Sequence, residues 1–184
     1  MDDNHGQPHV SSNSPERAAL LATLGQEGRQ FSTATVLFHQ AVAERLGLNT
    51  TDHKCADILL RTGPLTAGEL AETTGLTTGA ITGVVDRLER AGFVSRERDP
   101  EDRRRVIVRP TLSAEREREL AGLFAPLAGA FEEICDTYSD RDLGVIMEFL
   151  RRCRSMTHEQ THRLRAAAGE EARGGTGEPS PGSL

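Results

Sequence analysis

Residues 65–92 read LTAGELAETTGLTTGAITGVVDRLERAG, and this run leaves the chain little choice of local fold. Thr66 and Glu69 have the spacing of a capping box, in which a hydroxyl and a carboxylate satisfy the free backbone donors of a helix start, so a short helix opens there and runs to about Thr73. Gly75 suits the positive backbone angle of a tight turn. Thr77 caps a second helix whose apolar side is Ile81, Val84, Val85 and Leu88 and which ends at Ala91-Gly92. Two short helices joined by a glycine turn make a helix-turn-helix.

The residues that follow extend the unit. Phe93 to Arg98 alternates, Val106 to Arg109 is β-branched, and Asp99-Pro100-Glu101-Asp102 between them has aspartate and proline at the first and second positions of a turn. A hairpin after a helix-turn-helix is a wing, and Arg103, Arg104 and Arg105 fall at or just past its tip. Before it, Ser14-Pro15 opens a helix that runs to about Leu46 with Phe31, Thr35, Phe38, Val42 and Leu46 on one stripe, weakened by Gly25 and Gly28. A helix from about Asp52 to Arg61 comes next and buries Ala56, Leu59 and Leu60.

After the wing, a helix from near Ser113 carries Leu120, Leu123, Phe124, Leu127, Phe131, Ile134 and Tyr138, with Pro126 expected to kink it. The last helix opens at Ser139 and carries Leu143, Ile146, Met147, Leu150 and Cys153. These stripes are wider than one small winged helix covers, and an identical subunit is the commonest cover. The expected fold is mainly α with a small β-wing: a winged helix-turn-helix lobe at 50–110 with dimerisation helices at 14–49 and 111–165. Residues 1–13 and 166–184 are rich in Gly, Pro, Ser and charge and read as disordered tails.

Charge matters here only by position. The chain has a formal charge of −6, but each tail carries −2, leaving −2 for residues 14–165. A nearly neutral body with local arginine clusters still attracts a polyanion. No apolar run is long enough to cross a bilayer, and the opening MDDNHGQPHV lacks the basic and apolar regions of a secretory signal, so a cytosolic protein without a membrane partner is expected. Phosphate-cradling glycine loops, nucleophile elbows and segregated carboxylate pairs are lacking, which argues against an enzyme. No cofactor is expected.

From residue 65 to 113 the sequence resembles the core of the MarR family of bacterial transcriptional regulators. The likeness lies in the helix-turn-helix, the D-R-L-E-x-x-G exit at Asp86–Gly92, the D-x-x-D-R-R wing at Asp99–Arg104 and the helix start after the wing; the helix order from 14 to 165 matches as well. The resemblance implies a triangular homodimer that reads a palindrome in double-stranded DNA. It also implies that many members release DNA on binding a small aromatic ligand or on cysteine oxidation. In the wing, Asp102 would orient Arg103 or Arg104 for insertion into the minor groove, with Arg98 and Arg105 beside them. The physics suits it, since a narrow minor groove has enhanced negative potential and a planar guanidinium fits it. The alternative is a solvated loop whose acids and arginines pair at the surface.

The second helix of the motif presents Thr77, Thr78, Thr82 and Asp86, with Arg87 near its end, as candidate DNA contacts. Gly79 and Gly83 stand where many relatives carry longer base-reading side chains. They either let the backbone sit deeper in the groove or ease packing against the preceding helix. Cys55, Cys135 and Cys153 fall within helices and read as buried small hydrophobes, and no cysteine stands near the start of the first helix, where peroxide-sensing relatives keep theirs. His158 and His162 are four apart on the last helix, but no third ligand accompanies them and no metal is expected. Phe31, Phe38, His39, His53 and Arg61 could line a cleft for an aromatic acid, or be ordinary core and rim residues. A helical interaction module that reuses the fold without binding DNA is the competing function.

Overall fold

Every helix begins at a residue whose side chain can accept from a free backbone N–H. The computed structural model describes residues 14–102 and 104–174. Helix α1 (Pro15–Arg45) starts behind Ser14, α2 (Thr50–Thr62) behind Asn49, α3 (Ala67–Thr74) behind Thr66 and α4 (Thr78–Arg90) behind Thr77, each cap accepting from the backbone three residues on. Helices α5 (Ala114–Cys135) and α6 (Asp140–Gly174) are capped in the same way by Ser113 and Ser139, each at 3.2 Å. The capping box of α3 is complete, with the Thr66 N–H donating to Glu69 at 2.7 Å, and this bond first of all holds the Glu69 carboxyl below its usual range. At its far end Gly75 takes the left-handed conformation, φ 69°.

Three short strands complete the fold: β1 (Leu65–Thr66), β2 (Val94–Arg98) and β3 (Val106–Pro110), antiparallel in the order β1-β3-β2. The hairpin is the expected wing, paired from Val94↔Pro110 to Arg98↔Val106. Strand β1 was not expected. Two residues carry no periodicity, and their pairing with β3, Leu65↔Val108 and Thr66↔Ile107, is decided by the partner strand.

The chain divides into two compact units after Leu123, within α5. In the first, the core is Leu59 of α2, Leu70 of α3, Ile81, Val84, Val85 and Leu88 of α4, and Phe93, Val94 and Val108 of the hairpin, all buried. The apolar side read for α4 is the buried side. On α2 the face turns slightly from the expected one: Leu60 is 37% exposed, while Asp52, His53, Cys55 and Ile58 are buried. On α1 only the C-terminal end of the stripe, Val42 and Leu46, is buried, and Phe31 is 71% exposed.

In the second unit no residue of α5 is buried, and Phe131, Ile134, Val145, Met147 and Leu150 are exposed apolar side chains. Helix α5 continues through Pro126, and α1 through Gly25 and Gly28. Helix α6 runs to Gly174, past residue 165 where it was expected to end. Three alanines at 166–168 and the Glu170-Glu171 pair are good helix formers, and they outweigh the glycines that made the segment look like a tail. The expected tail at 1–13 and the remainder of the one expected at 166–184, residues 175–184, lie outside the described residues. Among the described residues no helix is long and apolar enough to cross a membrane.

Candidate nucleic-acid interface

Helix α4 is held from two sides by charged side chains, and this decides which of its polar residues remain outward. On one side Arg87 reaches α2: its Nε donates to Asp52 Oδ2 at 2.7 Å and its Nη2 to Oδ1 at 2.8 Å. Asp52 is buried and accepts a further bond from the Asn49 amide at 2.8 Å. A bidentate guanidinium–carboxylate pair fixes angle as well as distance. Chiefly its hydrogen bond to Asp52 raises the Arg87 pKa above its already high value.

On the other side Arg96 of β2 reaches back to α4. Its guanidinium donates to the Thr82 carbonyl and to Glu89, both at 3.1 Å, and to the Asp86 carboxylate, while its backbone N–H donates to Glu89 at 3.3 Å. Asp86 and Arg87, expected to face DNA, are thus each also engaged within the protein, with 48% and 44% of their side-chain surface still exposed. Helical periodicity gives the direction of a face, but the partner that a neighbouring element supplies is invisible to it. Arg96 was missed for the same reason, although alternation along β2 already marked it as an every-second-residue neighbour of Val94.

On the first half of α4 what stays outward is small and uncharged, and nearer its end Arg90 is exposed, its Nε donating to the Asp86 carbonyl at 3.1 Å. Thr78, Gly79 and Thr82 are exposed, the Thr82 hydroxyl donates to the Thr78 carbonyl at 3.0 Å, and Thr77 is occupied as the cap. A Cβ added at Gly79 would meet nothing within 4 Å. One added at Gly83 would meet the Arg87 guanidinium at 3.3 Å. Neither glycine thus eases packing against α3. Gly79 leaves the helix surface bare, and Gly83 makes room for the Arg87 side chain on its way to Asp52. A groove of about 570 Å³ lies beside this face, lined among others by Asn49, Thr50, Thr51, Gly79 and Gly83.

The wing tip is organised by its acids. Asp99 accepts from the backbone of Glu101 at 2.8 Å, and Asp102 from the backbone of Arg104 at 3.0 Å, so both carboxylates fold the turn. The guanidinium nearest Asp102 among the described residues is that of Arg105, at 3.8 Å, rather than that of Arg104. Arg103 lies outside the described residues. Arg98 and Arg104 are exposed and make no ion pair among the described residues, whereas Arg109 is paired with Glu97 at 3.0 Å.

Of the expected aromatic cleft, three members come together. His39 Nδ1 lies 3.2 Å from His53 Nε2, and the Phe38 ring stands edge-on to His39 with centroids 5.7 Å apart. Burial first, and His39 second, push the His53 imidazole below its ordinary value. Phe31 is exposed two helical turns before Phe38, and Arg61 is paired with Asp57 at 3.1 Å. Cys55 is fully buried, and desolvation raises its thiol to about 11, far from a reactive thiolate. His158 and His162 are exposed on α6, and no cluster of three or more metal-ligating side chains forms among the described residues.

Residues 48–106, covering α2 to the start of β3, match the model of the MarR family. The uncharacterized HTH-type transcriptional regulator YcgE of Bacillus subtilis (strain 168) is 45% identical over 149 residues, which span 81% of this chain and 96% of that protein. This chain belongs to the MarR family. It is accordingly a DNA-binding transcriptional regulator of winged-helix fold. A second relative, the HTH-type transcriptional repressor YetL of Bacillus subtilis (strain 168), is 34% identical over 88 residues, 47% of this chain and 50% of that protein. Among solved structures, a MarR family protein from Bacillus stearothermophilus aligns with a TM-score of 0.56 at 26% identity, over 81% of this chain and 99% of that one.

Proposed function

We propose that this MarR-family protein is a homodimeric repressor that binds a palindromic operator, with α4 in the major groove and the β2–β3 wing in the flanking minor groove. One observation carries the reading. Arg96 engages both Asp86 and Glu89 of α4, while Arg98 and Arg104 are exposed on the wing with no ion pair among the described residues, and the first half of α4 presents the uncharged Thr78, Gly79 and Thr82. That arrangement offers phosphates a cationic grip and offers the bases a helix surface that can approach closely. Homodimerisation is supported by the exposed apolar residues of α1, α5 and α6, which a monomer would leave in water. Repression is supported by the name of the relative YetL. Acting on DNA, the protein works in the cytoplasm.

The test is the variant Arg103→Ala with Arg104→Ala, which is expected to lose tight operator binding while the oligomer stays intact. Wild-type affinity in that variant would sink the wing assignment. The same reading assigns a small aromatic acid to the corner of Phe38, His39 and His53, where the imidazole pair offers the N–H that a carboxylate accepts. Titration with benzoate should shift the imidazole resonances of both histidines; shifts confined to other residues would remove the assignment.

A further inference from the structure

We propose that Arg96 is a positioning residue that locks the wing to the recognition helix, so that α4 and the wing arginines address the duplex as one rigid unit. The proposal rests on the DNA-binding mode given above, and its test is built so that the two can fail separately.

Among the described residues the hairpin is anchored mainly toward its root. Val94 and Val108 are buried, Phe93 packs beneath the Arg116 guanidinium at 5.3 Å, and β1 pairs with β3 at Val108 and Ile107. Beyond Arg96 the β2 edge has no side chain reaching α4 among the described residues: Ile107, opposite Glu97, still pairs with Thr66 of β1, but Glu97 itself pairs across to Arg109, and Arg98 is exposed. Among the described residues Arg96 is therefore the outermost residue of β2 whose side chain reaches α4. Its acceptors, Thr82, Asp86 and Glu89, are spread over two turns of the helix. A planar guanidinium with several fixed donors can hold all three at once, which the single ammonium of a lysine cannot.

The side chain is 31% exposed, so its contribution to overall stability is small and screened. Its consequence is geometric. Past the Glu97–Ile107 pair the sheet narrows to two strands, and a two-stranded ribbon is marginal on its own. Misplacing the tip by even a small angle separates the wing contacts from those of the helix, and their gain through simultaneous engagement is lost.

The decisive variant acts from the helix side. Asp86→Ala with Glu89→Ala removes two negative charges from a surface that faces a polyanion, so electrostatics alone raises DNA affinity. The clamp predicts the opposite sign. Affinity for a duplex enriched by the full-length protein should fall about tenfold, a change of about 1.4 kcal/mol. Arg96→Met should fall similarly, and Arg96→Lys should recover little of the loss. In the Arg96→Met background, adding Arg104→Ala should cost clearly less than it does in the wild type, because the wing is already disengaged. Circular dichroism confirms the fold of each variant.

A readout without DNA runs in parallel. Backbone ¹⁵N relaxation of the free protein should show residues 97–106 becoming more mobile in Arg96→Met while the amides of α4 keep their order. Unchanged or increased affinity in the Asp86/Glu89 variant overturns the proposal, as does strict additivity of Arg96→Met with Arg104→Ala. Unchanged wing order in Arg96→Met also overturns it. Failure of any wing arginine to matter in the wild type sinks the DNA-binding mode instead, and the relaxation measurement still decides the clamp.

Discussion

At the scale of single residues, the D-R-L-E motif at 86–89 shows how far a sequence can be read. Leu88 was recognised as core from its spacing, and it is fully buried. Asp86 and Arg87 were correctly placed off the apolar face, yet their partners sit on β2 and α2, and Arg87 finds Asp52 at a separation of 35 residues. No local pattern encodes such a pairing. It has a measurable consequence: Arg87→Ala strands a carboxylate that is only 3% exposed, so it should lower the melting temperature more than Asp52→Asn does, and thermal denaturation of the two variants checks the order. Gly79 supplies a second prediction. Its surroundings are open, so Gly79→Ala should stabilise the fold by about 0.5–1 kcal/mol through helix propensity. If the bare backbone sits close to DNA, the same methyl group lowers operator affinity, and denaturant titration beside a binding isotherm separates the two effects. Cys55, with its thiol raised to about 11, should resist alkylation at neutral pH until the protein is unfolded.

Among the elements, what was legible is whatever repeats within a few residues. Helix starts at Ser14, Thr66, Thr77 and Ser139, the α4 face and the hairpin were all readable because their signals are local. Strand β1 and the last turns of α6 were not, since one depends on a partner strand and the other on propensity winning over a glycine-rich composition. The junction of α1 and α2 adds a titratable feature. His39 and His53 share one hydrogen bond at 3.2 Å, and burial, with His39 next, holds His53 below the ordinary 6.5; Asp57 opposes the shift and Lys54 adds to it. The unfolded chain then binds a proton at His53 that the folded chain refuses. Stability from this group is present above the unfolded value and is lost as pH falls through the native one. Denaturation midpoints measured from about pH 7.5 down to about pH 5.5 should decline, and His53→Gln should flatten that slope. An equal slope in the variant would place the titration elsewhere.

For the whole molecule, the proposed dimer with two DNA-reading lobes would cover the exposed apolar stripes of α1, α5 and α6. Phe131 is 65% exposed, and Phe131→Glu with Ile134→Glu should shift sedimentation equilibrium toward monomer and weaken operator binding with it. The competing reading, an interaction module that keeps the fold and does not bind DNA, shares every element described above and differs only in its response to a duplex. Selection of binding sites from random duplexes by the full-length protein, at two salt concentrations, distinguishes the two most directly. The regulator predicts an enriched inverted repeat, with half-sites about one helical turn apart and recovery that drops steeply at the higher salt. Absence of enrichment at both salts, persisting when cell extract is added, would contradict it.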